Sequence, residues 1–116
     1  MVTVIVVNWN RREFLRECLV SIEKQVTYAG APFPAEIIVV DNGSEDGSPE
    51  LVTAEFPAIR LIRNSSNRGF CGANNQGIAA ARADRIALLN NDAAADPYWL
   101  AELTAALDRS ATTGMA

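Results

Sequence analysis

Apolar residues along the chain form four short runs, separated by stretches in which they recur every three or four positions. Residues 2–7 are β-branched throughout and predict a first strand. From residue 11 to about 26 the period changes. Leu15, Cys18, Leu19, Ile22 and Val26 share one helical face, and Arg16, Glu17, Glu23 and Lys24 take the other. The loop Gly30-Ala31-Pro32-Phe33-Pro34 crosses back to a second strand over residues 37–40, which ends in Asp41-Asn42-Gly43-Ser44. Ser48-Pro49 opens a second helix carrying Leu51, Val52 and Phe56. Strand three, residues 59–62, is interrupted by Arg60 and belongs nearer an edge. After a polar loop, a helix over about 71–82 carries Gly72, Ala73, Gly77, Ala79, Ala80 and Ala81, small enough to lie close on a sheet. Residues 86–89 are an unbroken apolar run, suited to a strand covered on both faces. That run stops at Asn90-Asn91-Asp92. Asp96-Pro97 then reads as the cap and first turn of a fourth helix ending near residue 107.

Strand alternating with helix implies parallel strands and right-handed crossovers, an α/β sheet with helices on both faces. Parallel order brings all strand ends to one rim, where open α/β sheets bind ligands. Every asparagine falls at or just beyond that rim: Asn8, Asn10, Asn42, Asn64, Asn67, Asn74, Asn75, Asn90 and Asn91. Asparagine favours turns for local reasons, but those reasons apply equally to the opposite loops, which have none. The rim is therefore expected to be a binding surface.

Composition narrows the ligand. A chain of 116 residues is about one domain. A net charge of -4 argues against non-specific nucleic-acid binding and means that a phosphate ligand needs a local arginine or a bridging metal. With no histidine, the commonest general base and zinc ligand are missing. Cys18 and Cys71 match no metal-ligand spacing, which fits reduced thiols in a cytosolic protein. Residues 2–7 are too short to span a bilayer, and no signal-peptide pattern follows them.

The polar residues have local and functional readings. Asp41 either caps the turn into Gly43 or offers an acceptor to a ring N–H such as N3–H of uracil or thymine. Arg68 is either a solvated loop residue or a phosphate contact at a helix N-terminus. Asp92 is either a turn residue or a ligand for a hard cation completed by phosphate oxygens and water. Trp9, which closely follows the apolar run of residues 2–7, and Trp99, between Tyr98 and Leu100, are expected to pack rather than serve as platforms. Neither a Gly-x-x-x-x-Gly-Lys loop nor a Gly-x-Gly-x-x-Gly turn is present, against a P-loop or dinucleotide fold.

Val4-Ile5-Val6-Val7-Asn8-Trp9-Asn10, Val39-Val40-Asp41-Asn42-Gly43-Ser44, Asn67-Arg68-Gly69-Phe70 with Asn75 and Gly77, and Leu88-Leu89-Asn90-Asn91-Asp92 resemble family 2 glycosyltransferases of the GT-A fold. The likeness is to the rhamnosyltransferase-like branch and spans essentially the whole chain. It implies transfer of a sugar from a nucleoside diphosphate (UDP or dTDP, dTDP-rhamnose included) to an acceptor hydroxyl, with inversion and a divalent metal, Mg²⁺ or Mn²⁺. By position, Asn8 and Asp41 resemble nucleoside contacts, and Asn10 lies beside them. Asn67, Arg68 and Asn75 lie in the segment lining the nucleotide pocket. Asn90-Asn91-Asp92 occupies the Asp-x-Asp position, with Asp92 the metal ligand and Asn90 in place of the first acid. The family's acceptor-binding half and catalytic base lie beyond residue 116. The chain thus reads as the N-terminal nucleotide-sugar-binding part, about four βα units, with no catalytic residue of its own and inactive alone. Gly114-Met115-Ala116 reads as the approach to a further strand. The implied setting is polysaccharide biosynthesis, cytoplasmic or peripheral at the inner face of the membrane, with a saccharide or lipid-linked acceptor. The other reading is a non-catalytic module that holds a nucleotide sugar or a partner protein.

Overall fold

A computed structural model describes residues 1–108. Gly114-Met115-Ala116 lies outside the described residues. Elements alternate in the order β1 (Val2–Asn8), α1 (Arg12–Glu23), β2 (Ala35–Asp41), α2 (Ser48–Glu55), β3 (Arg60–Arg63), α3 (Gly69–Ala80), β4 (Arg85–Leu88) and α4 (Trp99–Asp108). All strand pairs are parallel, in the order β3-β2-β1-β4. The unbroken β-branched run sits centrally because both its faces are buried: Val4, Ile5 and Val6 are each 0% exposed. Arg60 marks an edge strand as expected, since among the described residues β3 pairs with β2 alone.

The strand pleat sends alternate side chains to two cores. Val2, Val4, Val6 and Val39 pack with Leu15, Leu19 and Ile22 of α1, Val52 of α2 and Leu100 of α4. Ile5, Ile38 and Val40 point the other way, onto Ala73 of α3. Helices therefore cover both faces. Gly77 lets α3 come close: a Cβ added there would stand 2.6 Å from Ile5 Cγ2.

Boundaries shift where side chains compete with the helix. The first helix stops at Glu23, not near residue 26, and Val26 instead forms an antiparallel bridge with Pro32. Gln25 fixes that turn. Its Nε2 donates to the carbonyls of Ser21 and Asp96, and its Oε1 accepts the Leu100 N–H at 2.9 Å. The third helix begins at Gly69, where the Gly69 N–H donates to Asn67 Oδ1 at 2.8 Å, and it ends at Ala80. The fourth run differs more. Its faces do meet both cores, through Ala87 on one and Ile86 and Leu88 on the other. Yet β4 pairs only with β1 among the described residues, and it is half-buried except at Ala87. Its open side is lateral, which an apolar run cannot reveal. Among the described residues, no helix is long and apolar enough to cross a membrane.

Candidate functional site

The strand ends converge as parallel pairing requires. The Asn42 N–H continues the ladder to the Asn8 carbonyl, and the Asn64 N–H to the Asp41 carbonyl, both at 2.8 Å. Gly43 turns the chain there with φ +84°, and an added Cβ would lie 3.2 Å from Ser66 Cα. Glycine thus lets the loop after β3 close on the end of β2.

Beneath the rim lies a polar network. Asn8, 0% exposed, donates through Nδ2 to Asp41 Oδ1 at 3.0 Å and to Ser44 Oγ at 3.3 Å, and its Oδ1 accepts from Asn91 Nδ2 at 2.9 Å. Asp41, 1% exposed, also accepts from Ser44 Oγ at 2.7 Å and from the Ser44 N–H at 2.8 Å. Asn42 accepts from Asn64 Nδ2 and the Arg68 N–H, and donates to the Gly69 carbonyl. Asn64 and Gln76 exchange paired amide bonds at 2.7 and 2.9 Å. The rim asparagines hold the strand ends in fixed relation.

Over this floor opens a pocket of about 290 Å³ lined by Val7, Trp9, Arg11, Asn42, Asn67, Phe70, Asn90, Asn91 and Asp92. Four expected site residues line it: Asn67, Asn90, Asn91 and Asp92. The others are placed differently. Asn8 reaches no ligand surface, because it is wholly buried and both its donors are engaged within the protein. Asn10 adopts φ 51° and pins the loop after β2, accepting the Glu45 N–H through Oδ1 at 2.8 Å. Asp41 belongs to the floor. Arg68 is exposed at the start of α3, and Asn75 is exposed further along it; neither lines the pocket.

Arg11 supplies the guanidinium among the lining residues, 5.6 Å from the Phe14 ring centroid. Trp9 is 52% exposed and Phe70 58%, so the packing expectation fails for Trp9 and holds for Trp99, which is half-buried against the first core. The missed residues carried a signal. Strand alternation that buries Asn8 turns position 9 outward, and Phe70 stands in the first turn of a helix whose buried residues start at Ala73.

Asp92 ends the turn after β4, whose Asn90 carbonyl accepts the Ala93 N–H and, at 3.6 Å, the Cys18 thiol. Burial, with the negative charge of Asp92 second, pushes that thiol up to about 12. Among the described residues no three His, Cys, Asp or Glu side chains gather into a cation site. One carboxylate beside two amides suits a hard cation that takes its remaining oxygens from a ligand and water. A larger cavity, about 460 Å³ between α1 and residues 95–97, is lined by Arg16, Glu17, Val20, Ser21, Lys24, Ala95 and Pro97, away from the strand ends.

A parallel sheet with an amide-rich, mixed-charge pocket at its carboxyl rim is the arrangement in which open α/β proteins bind ligands. Residues 3–115 match Glycosyl transferase family 2, and the chain belongs to that family. It is 29% identical over 102 residues to the glycosyltransferase AglE of Haloferax volcanii, covering 85% of this chain and 33% of that one. It is 37% identical over 109 residues to a hyaluronan synthase of Pasteurella multocida, covering 90% of this chain and 11% of the synthase. Among solved structures, S. aureus TarS in complex with UDP-GlcNAc superimposes with a TM-score of 0.80 at 23% identity, over 93% of this chain and 31% of TarS. The mannosyltransferase PcManGT of Pyrobaculum calidifontis, in complex with GDP-Man and Mn²⁺, gives 0.78 at 29% identity, over 91% of this chain and 32% of its own. The chain spans about a third or less of these relatives.

Proposed function

We propose that this chain is the nucleotide-sugar-binding part of an inverting glycosyltransferase, taking a UDP- or dTDP-sugar at the carboxyl rim of its sheet. The observation that carries this reading is the convergence of Asn67, Asn90, Asn91, Asp92 and Arg11 on one pocket in a family 2 fold. We set the base end toward Asp41, Asn42 and Asn67, with the exposed rings of Trp9 and Phe70 lining the same pocket. Three donors reach the Asp41 carboxylate, two on Oδ1 and one on Oδ2. Oδ2 could accept one further N–H, and because Asp41 is 1% exposed the base would have to part the residues above it to reach that oxygen. The diphosphate end lies toward Arg11 and Asp92. A divalent cation held by Asp92, Mg²⁺ or Mn²⁺, would offset the repulsion between this acidic chain and an anionic ligand. Arg68, exposed at the N-cap of α3, is within the same rim and would add to the field on the phosphates.

In the reaction, an acceptor hydroxyl oxygen bonds to the anomeric carbon as the bond from that carbon to the diphosphate oxygen breaks. Arg11 faces the negative charge that develops on the departing diphosphate. With Asp92 assigned to the cation, we place the base that takes the hydroxyl proton outside the pocket-lining residues. Asn90 in place of the first acid of Asp-x-Asp supports a rhamnosyltransferase-like donor.

The test is calorimetric titration with UDP, dTDP, GDP and ADP, each with and without Mn²⁺, on wild type and Asp92→Asn. Pyrimidine diphosphates should bind best, with metal-strengthened affinity that Asp92→Asn largely removes. Equal affinity for ADP and UDP, or metal-independent binding, would overturn the assignment.

A further inference from the structure

Asn8 stands between the two ends of the pocket floor, and its amide orientation is chemically fixed. Asp41 in its ionised form only accepts, so the Asn8 NH₂ faces it at 3.0 Å and the Asn8 Oδ1 is left for Asn91 Nδ2 at 2.9 Å. One wholly buried amide thereby joins the turn after β2 to the turn that carries Asp92. The second turn has few other ties to the floor. Its Asn90 carbonyl takes a weak thiol bond from Cys18 and a local bond from Ala93. The first turn is tightly tied, since Ser44 bonds Asp41 twice and also accepts the Asn10 N–H at 2.8 Å.

We infer that Asn8 is a positioning residue that couples the nucleoside end of the site to the metal end. The rigid Asp41–Ser44 turn holds Asn8, Asn8 holds Asn91, and Asn91 sets where Asp92 presents its carboxylate. A nucleoside seated over the floor that Asp41 and Ser44 brace therefore also orders the turn that receives the cation, and the two bind cooperatively. This rests on the nucleotide-binding reading above. A purely structural amide would lower the melting temperature when removed, but would leave the metal's effect on UDP affinity unchanged.

The experiment measures UDP affinity with and without Mn²⁺, and uridine affinity without it, on the full chain. The proteins are wild type, Asn8→Ser, Asn91→Ala and the double variant. Each single substitution should reduce the metal's gain about fivefold, the worth of one buried hydrogen bond, with a smaller loss for uridine. The double variant should lose no more than the worse single one, because both cut the same link. An unchanged metal gain in Asn91→Ala, or losses that add in the double variant, would overturn the inference. Should Asn8→Ser fail to fold by circular dichroism, Ser44→Ala replaces it in the cycle, since Ser44 bonds Asn8 without lining the pocket. A wild-type protein whose UDP affinity gains nothing from Mn²⁺ would overturn the nucleotide-and-metal reading and this inference together. That failure shows before any variant is compared, so the two are separable.

Discussion

Arg11 and Arg68 have the same head group, and their places in the chain separate them. Arg11 directly precedes α1 and lines the pocket; Arg68 is the exposed N-cap of α3. Arg11→Ala should therefore weaken UDP binding by about 1–2 kcal/mol, between an exposed ion pair and a charge-assisted bond. Arg68→Ala should cost less, and isothermal titration at two salt concentrations checks both. The cysteines divide in a similar way. Cys18 is buried and Cys71 exposed. Iodoacetamide at pH 8 should label one thiol in the folded chain and two in urea, read by mass spectrometry. Burial raises the Cys18 thiol from 9.0 to about 12, so its neutral form contributes stability that is complete below pH 9.0. That contribution is lost as pH rises from there through about 12, and Cys18→Ala should flatten the alkaline arm of a melting profile.

At the scale of elements, α3 rests on one close approach. Gly77→Ala returns about 1 kcal/mol of helix propensity but pushes a methyl into Ile5, an overpacking cost of about 1–3 kcal/mol. The net effect should be a modest loss of stability in urea melts, and Gly77→Leu should lose far more. At the opposite rim, Glu36 joins β2 to its neighbours, accepting from Thr3 Oγ1, the Arg82 N–H and Arg60 Nη1 at 2.8–2.9 Å. Desolvation raises its carboxyl, but these donors outweigh it and hold the group below its ordinary 4.5. Its stabilisation is thus present above pH 4.5 and lost as pH falls through the lowered value, so Glu36→Gln should reduce the acid sensitivity of the melting temperature. Strand cores were legible because β-branched runs such as residues 2–7 have one physical reading. Helix ends were less so. Val26 leaves α1 for a bridge to Pro32, a partner six residues away that no periodicity reports.

Across the whole molecule, the sequence placed the asparagines at one rim but could not divide ligand-facing residues from those that hold the rim together. Asn8 and Asn91 look alike as letters; three internal bonds bury the first, while the second lines the pocket. Trp9 is exposed although an apolar run closely precedes it, because nearness in sequence to buried residues does not place a side chain among them. The sheet order also has a consequence in time. Contacts of β1 with β2 close a separation of 33 residues at Asn8–Asp41, whereas contact with the turn after β4 closes 83 at Asn8–Asn91. The longer closure costs about 0.8 kcal/mol more in chain entropy, and β1, β2 and β3 can pair before residue 85 leaves a ribosome. Pulsed hydrogen exchange during refolding should find the amides of β2 protected earlier than that of Leu89, whose N–H donates to the Ile5 carbonyl; simultaneous protection would contradict this order. The wall of the pocket that bears Asp92 is then the last to be assembled, and a newly made chain is whole at one end of its pocket before the other exists.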